Sequence, residues 1–244
     1  MTGAVPEVSV LIPAFNEEQH LGAAICGALA ILDAHGLPFE IVVVDDGSTD
    51  SSALIVADVA RTDSRVRLLR HDRNRGLGAS YVTGTEASRG EYVTWLPGDD
   101  AIAPESLVPM LAARRAADVI ITYPVFERPR PRLRSLLSVS YVRLMNLVFG
   151  LRLRYFNCIT VVRRELLMTV LPKRNTGFGA FAEILVRLLR AGHSYTEIPI
   201  TSRHRPMESS KALRWRNVAS VCHRTLWLWW SVRRGPFLND GATR

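Results

Sequence analysis

Short apolar runs alternate with amphipathic stretches through the first half of the chain. Residues 8–12 have the pattern of a buried strand, and 17–35 repeats apolar residues at helical spacing. Residues 40–44 read as a second strand and about 51–61 as a helix. The alternation continues with a strand at 66–69, a helix at 77–88, a strand at 92–96, a helix at 104–115 and a strand at 118–122. Strands separated by helices of several turns predict βαβ units, hence an α/β fold with a mostly parallel central sheet flanked by helices. Such a sheet takes its ligands beyond the carboxyl ends of its strands. Three polar clusters fall there: Pro13, Ala14, Phe15, Asn16 and Glu17; Asp45, Asp46, Gly47 and Ser48; and Gly98, Asp99 and Asp100.

The second half is less regular. Arg128-Pro129-Arg130-Pro131-Arg132 predicts an extended basic linker, because two prolines forbid a helix there. An apolar helix is expected over about 133–149 and a strand near 159–163. Residues 182–191 have helical spacing, closed by Gly192 as a C-cap, and 195–200 is extended. The last segment, 212–232, reads as a helix and holds four of the five tryptophans.

Charge changes this picture more than composition does. With 244 residues, 48% hydrophobic and 22% charged, the chain can bury a full core, and disorder is excluded as its main state. Cys26, Cys158 and Cys222 lie far apart, which argues against a zinc module or disulfide scaffold and for a reducing compartment. The net charge of +8 divides unevenly. Residues 1–122 carry 9 arginines and no lysine against 17 acids, a net −8; residues 123–244 carry 20 arginines and 2 lysines against 6 acids, a net +16. Two different partners are implied, the second anionic: nucleic acid, a membrane surface or a phosphorylated small molecule. Nucleic acid is disfavoured, because no reader motif is present. No signal peptide is visible and no stretch reaches the roughly 18 uncharged apolar residues of a spanning helix. The chain is therefore expected to lie on a membrane without crossing it.

Each polar cluster allows a plain and a functional reading. Asn16-Glu17-Glu18-Gln19 is a capping box opening a helix, or a corner facing a nucleotide. In Asp45-Asp46-Gly47-Ser48-Thr49-Asp50, a turn with Asp50 as cap explains Ser48 to Asp50 but not the paired carboxylates. Those must point different ways, one into a site and one toward the loop, and strand-end carboxylates can accept from a base or ribose. Asn74-Arg75-Gly76-Leu77-Gly78 sets two glycines at a helix start, where backbone N–H groups favour an anion. It is neither the GxGxxG nor the P-loop pattern, so dinucleotide oxidoreductases and Walker ATPases lose support. Leu96-Pro97-Gly98-Asp99-Asp100 is a turn, or a hard-oxygen site for Mg²⁺ or Mn²⁺ completed by phosphate oxygens and waters.

Taken together and in order, residues 8–18, 41–50, 74–78 and the Asp99 region resemble the family 2 glycosyltransferases of GT-A fold. The second half is similar to the polyprenyl-phosphate, dolichol-phosphate mannose synthase-like branch, through Phe181-Ala182-Glu183-Ile184-Leu185, Ala191-Gly192-His193, Glu197-Ile198-Pro199-Ile200, Arg205 and Ser209-Ser210-Lys211. The resemblance implies one GT-A catalytic domain over 1–211, with a nucleotide-sugar half at 1–123 and an acceptor half at 124–211. Beyond it, Arg214, Arg216, Arg224, Arg233 and Arg234 around Trp215, Trp227, Trp229 and Trp230 read as an interfacial membrane helix and tail at 212–244, or as a helix packing its tryptophans into the domain. The resemblance puts Pro13, Ala14, Asn16, Glu17 and Asp45 or Asp46 at the donor nucleotide, with Gly76 and Gly78 beside it. It puts Asp99, with Asp100 next to it, at a Mg²⁺ or Mn²⁺ ion and the diphosphate. Arg134 and Ser138, four residues apart on one helix face, match a pair that meets the acceptor phosphate. Ser210 and Lys211, with Arg203 or Arg205 ahead, resemble a loop that closes over the donor.

Three departures stand out. Pro97 occupies the first position of the usual Asp-x-Asp; Ile121-Thr122-Tyr123 replaces a Gly-Ser-Arg that carries a phosphate-binding arginine; and Arg154-Tyr155-Phe156-Asn157-Cys158-Ile159 replaces an Asp-x-x-Ser-Gly-Phe stretch. The expected activity is inverting transfer of a sugar from a GDP- or UDP-sugar to a polyprenyl phosphate, peripherally at the cytoplasmic face of an anionic membrane. The alternatives are a saccharide or lipid hydroxyl acceptor, or a degenerate nucleotide-sugar-binding protein. A hydroxyl acceptor needs a general base, for which Glu183 is the one candidate, its plain role being an exposed helix carboxylate. A phosphate acceptor needs none, since with a second pKa near ~6 its oxygen is already anionic at pH 7. Arg134, Arg205 and Lys211 would supply the charge that holds two anions together.

Overall fold

A computed structural model describes residues 5–99, 101–126, 132–172, 179–202 and 228–229. Its centre is a seven-stranded sheet: β1 (Val8–Ala14), β2 (Phe39–Asp45), β3 (Val66–Arg70), β4 (Tyr92–Trp95), β5 (Val119–Phe126), β6 (Thr160–Arg163) and β7 (Tyr195–Ser202). The order is β3-β2-β1-β4-β6-β5-β7, with β6 antiparallel to both neighbours and every other pairing parallel. All residues of β1, β2 and β4 are buried, so these strands read as mostly apolar runs, broken only by Ser9, Glu40, Asp45 and Thr94, because helices cover both faces.

The helices are α1 (Leu21–His35), α2 (Ser52–Thr62), α3 (Leu77–Ala87), α4 (Leu107–Ala112), α5 (Arg132–Phe149), α6 (Arg164–Val170) and α7 (Ala180–Arg190). The expected alternation is present, with three local differences. The first helix begins at Leu21 rather than 17, because Asn16 adopts φ 56° and residues 17–20 form a turn tied to another loop. The helix expected over 104–115 is a 3₁₀ turn, Pro104–Ser106, followed by the short α4. Helix α6 follows β6 directly and was not anticipated. The α7 C-cap is Ala191, and Gly192 just beyond it takes φ 90°. The basic stretch 128–131 and all of 212–232 except Leu228 and Trp229 lie outside the described residues.

Six of the seven strands run the same way, so one edge of the sheet collects the carboxyl ends of β1, β2, β3, β4, β5 and β7. Register sharpens this: Ala14 lies beside Asp45, and Asp45 beside Arg70. An isolated bridge joins Ile102 to Ser202, so β7 ends next to the loop that follows Asp99.

Candidate active site

The paired carboxylates at the end of β2 do diverge, as their adjacency requires. Asp45 is fully buried. Its Oδ1 accepts the Ser48 N–H at 3.0 Å, and its Oδ2 lies 3.0 Å from the Arg70 Nε, an ion pair without hydrogen-bond alignment. Arg70 also donates to the Ser48 carbonyl at 3.2 Å while its side chain stays 59% exposed. Sequence reasoning missed Arg70; the cue was a basic residue ending the strand that pairs with Asp45, legible only once register is known.

Asp46 turns toward the loop after β3. Its Oδ1 accepts from His71 Nδ1 at 2.7 Å and from the Arg75 N–H at 2.9 Å, and its Oδ2 accepts the Gly76 N–H at 2.7 Å. With Nδ1–H donated to Asp46, His71 Nε2 can accept the Thr83 hydroxyl 3.0 Å away on α3. The Gly76 amide expected to face an anion is thus used by Asp46. Gly47 makes the close approach possible: at φ 75°, an added Cβ would fall 2.6 Å from the Arg73 carbonyl carbon. His71 is buried and was not anticipated, since a lone histidine at a strand end gives no signal in the sequence.

Asn16, Glu17 and Glu18 knit the β1–α1 loop to the β2–α2 loop instead of capping α1. The Asn16 N–H donates to Ser48 Oγ and its Oδ1 accepts the Thr49 N–H, both at 2.9 Å. The Glu17 N–H donates to Ser52 Oγ at 2.9 Å, the Glu18 N–H to Asp50 Oδ2 at 3.1 Å, and Glu18 Oε2 accepts the Ser51 N–H at 3.0 Å. His20 is the α1 N-cap residue and makes no side-chain cap. Pro13 and Ala14 are buried at the end of β1, and Gly78 is buried in the first turn of α3.

Asp99 is brought to this edge by Gly98. The Gly98 N–H donates to the Pro13 carbonyl at 3.2 Å, and a Cβ there would stand 3.0 Å from that oxygen and 3.3 Å from the Ala14 Cβ. Asp99 Oδ1 accepts the Ala101 N–H at 3.0 Å, which fixes the half-buried carboxylate beside β1. Asp100 lies outside the described residues. Among the described residues no group of three His, Cys, Asp or Glu could hold a metal ion by itself. Asp99, a single carboxylate, could hold Mg²⁺ or Mn²⁺ only with phosphate oxygens and water filling the remaining positions.

In the second half, Arg134 and Ser138 both belong to α5, which supports their common helix; the Arg134 side chain is outside the described ones. Arg203, Arg205, Ser210 and Lys211 are outside the described residues too, though the chain reaches them from Ser202, beside Ile102. Glu183 is not exposed: it is 7% accessible and paired with Arg187 at 2.6 Å, one turn along α7. On the same helix Phe181 stacks on Trp95 with centroids 4.8 Å apart. Helix α5 leaves Leu136, Leu137, Val139, Leu144 and Leu147 exposed, the last at 83%. A cavity of about 740 Å³ among the described residues, lined by Glu7, Arg89, Arg115 and Arg163, opens at the amino ends of the strands and is separate from these clusters.

Residues 9–171 match the family described as Glycosyl transferase family 2. Succinoglycan biosynthesis protein ExoO of Rhizobium meliloti (strain 1021) is 39% identical over 113 residues, 46% of this chain and 31% of that protein. Undecaprenyl-phosphate 4-deoxy-4-formamido-L-arabinose transferase of Salmonella dublin is 31% identical over 216 residues, 85% of this chain and 63% of the relative. The chain thus spans about a third to just under two thirds of the length of these relatives. Among solved structures, glucosyl-3-phosphoglycerate synthase from Mycobacterium tuberculosis in complex with UDP superposes with TM-score 0.68 at 18% identity, covering 93% of this chain and 80% of that one. Its complex with Mn²⁺, UDP-glucose and phosphoglyceric acid gives 0.67, again at 18%, over 90% and 80%. These likenesses show the GT-A fold.

Proposed function

The chain belongs to glycosyl transferase family 2, and from that premise we propose that it moves a sugar from a UDP- or GDP-sugar onto a polyprenyl phosphate. The observation that carries the acceptor is the outward face of α5. Five exposed apolar side chains lie there on the helix that also bears Arg134 and Ser138. Exposed aliphatic groups on one side of a helix mark a binding surface, and the apolar chain of a lipid phosphate would cover it. The likeness to an undecaprenyl-phosphate sugar transferase extends over 85% of the chain, against 46% for the succinoglycan protein, and supports the same acceptor.

In this reading residues 1–123 hold the donor, 124–211 the acceptor, and 212–244 an interfacial helix and tail. The chain acts peripherally at the cytoplasmic face of an anionic membrane. No helix among the described residues is long and apolar enough to cross a membrane. Pro13, Ala14 and Asp45 end their strands at the donor edge. Asp46 acts on it through the loop at residues 74–76, and Asn16 and Glu17 by fixing the neighbouring loops. Asp99, with Asp100, would hold a divalent ion, which when bound neutralises a departing diphosphate as a Lewis acid. The phosphate oxygen of the acceptor is the nucleophile, so no base is required, and the burial of Glu183 against Arg187 leaves it a structural role. Arg134, Ser138, Arg205, Ser210 and Lys211 offset the repulsion between the two anions, and single displacement inverts the anomeric centre.

The test is incubation of the full chain with polyprenyl phosphate in detergent and labelled UDP- or GDP-sugars, with and without Mn²⁺. The expected product is a mild-acid-labile lipid-linked sugar of inverted configuration, lost in Asp99→Ala. An acid-stable product would favour a saccharide or lipid hydroxyl acceptor. Nucleotide-sugar binding without turnover would favour a degenerate binding protein, and retained configuration would overturn the displacement.

A further inference from the structure

The segment joining α5 to β6 is built to hold one residue outward. Asn146 on α5 clamps Leu153 by two bonds, Nδ2 donating to the Leu153 carbonyl at 2.8 Å and Oδ1 accepting the Leu153 N–H at 2.9 Å. Phe156 is fully buried and meets Tyr141 edge-on at 6.3 Å. Between these anchors Arg154 donates its backbone N–H to Glu197 Oε1 at 2.7 Å. Its guanidinium carbon sits 4.6 Å from the centre of the Tyr123 ring, and its Nε is 3.9 Å from Glu197 Oε2. That separation attracts the guanidinium without making a hydrogen bond. The Arg154 side chain nevertheless remains 64% exposed. A guanidinium stacked by one face keeps its N–H edge for another partner.

The surroundings say what kind. Glu197 pairs in register with Ile121, and Tyr123 and Val125 follow on the same face of β5. Val125 is 52% exposed and Phe126 38%. A fixed cation therefore sits at the carboxyl end of β5 beside an apolar rim. A free anion would have no use for the rim, and a neutral saccharide none for the cation.

We infer that Arg154 binds the phosphate of the acceptor, with Tyr123 and Glu197 as positioning residues. This rests on the lipid-phosphate reading above. The planar fork grips two phosphate oxygens, the tyrosine ring sets its plane, and the glutamate fixes the backbone from which it projects. The preformed geometry reduces what must be ordered when the lipid arrives.

Farnesyl phosphate, farnesol and inorganic phosphate are the probes, used with the full chain in equilibrium binding, and farnesyl phosphate also as acceptor in transfer. Arg154→Gln should raise the acceptor KM and the farnesyl phosphate Kd about tenfold or more. UDP binding, farnesol binding and the thermal midpoint should not move. Arg154→Lys should recover part of the loss, since an ammonium keeps the charge but not the fork. Tyr123→Leu should shift the acceptor KM the same way, and Tyr123→Phe should stay close to wild type because it keeps the ring. Inorganic phosphate binding as tightly as farnesyl phosphate would overturn the lipid part of the inference. If wild type uses farnesyl phosphate and Arg154→Gln does so with unchanged acceptor KM, the inference fails while the proposed function stands. A wild type that neither binds nor uses farnesyl phosphate, yet transfers to another acceptor, overturns the proposed function itself.

Discussion

Removing the Asp46 carboxylate should destabilise the whole domain, by an amount the structure allows to be worked out. Asp46 is 3% accessible and accepts three hydrogen bonds, from His71 Nδ1 and from the N–H groups of Arg75 and Gly76. A bond to a charged group contributes about 1.5–3 kcal/mol. Simple addition overstates the total, because Arg75 is exposed and Gly76 half-buried, so water can reach their amides in the variant. His71 would keep an unpaired buried N–H at about 1–3 kcal/mol, and with part of each amide's share Asp46→Ala should cost about 3–5 kcal/mol. Asp46→Asn is the finer probe. With its amide nitrogen in place of Oδ2, the Gly76 N–H faces another donor. With the nitrogen in place of Oδ1, His71 can switch tautomer and accept, but the Arg75 N–H is opposed. Either way one backbone bond is lost, for about 1.5–3 kcal/mol. At roughly 2–4 °C per kcal/mol for a chain of this size, the midpoint should drop about 6–20 °C in Asp46→Ala and about 3–12 °C in Asp46→Asn. Urea and thermal unfolding followed by circular dichroism measure both, and a double-mutant cycle with His71→Ala should show a coupling above ~1 kcal/mol. Variants within about 0.5 kcal/mol of wild type, a range expected of surface changes, would refute the claim that this network holds the loop at residues 74–76.

Gly47→Ala should cost about 2–4 kcal/mol in the same assay, since it combines a left-handed φ of 75° with a Cβ 2.6 Å from the Arg73 backbone; a change under about 1 kcal/mol would mean the two loops separate easily. Acid should weaken the fold in a definite window. The Arg65 guanidinium holds Asp63, and the Ser194 hydroxyl and N–H hold Asp118, below the usual carboxylate range. Groups depressed in the folded state stabilise it above their unfolded value near ~3.9 and lose that contribution as pH falls through the folded value. The urea midpoint should therefore drop as the pH falls below about 4, and an unchanged or higher midpoint there would contradict these pairings. Burial pushes the Cys158 thiol up to about 12, so at pH 8 it stays protonated and unreactive. Iodoacetamide with peptide mapping should label exposed Cys26 in the native protein and Cys158 only after unfolding; native labelling of Cys158 would show that this part of the core opens.

Much of the fold was legible because its first half is built from buried parallel strands. A strand covered on both faces must be largely apolar, and β1 and β2 are, apart from Ser9, Glu40 and the strand-end Asp45, so each strand announced itself without partners. The three strand-end clusters followed from the same alternation, and all three lie at one edge of the sheet. Local signals failed where a side chain answers to a distant loop. Asn16 has the sequence of a helix cap but spends its oxygen on Thr49, so α1 starts later. Glu183 has the look of a surface carboxylate but is buried against Arg187, because α7 packs its Phe181 onto Trp95.

By itself, the sequence determined the α/β class, the strand and helix alternation of the first half, the family and the division of charge between the halves, all properties carried by neighbouring residues or by ordered motifs. Tertiary structure alone decided that β6 inserts antiparallel between β4 and β5, and that Arg70 meets Asp45. It also decided that His71 braces Asp46 and that Arg154 stands on Tyr123. The physical reason is separation along the chain. Each of these contacts joins residues at least 25 apart, and strand register with side-chain direction, which no local pattern encodes, sets whether they meet.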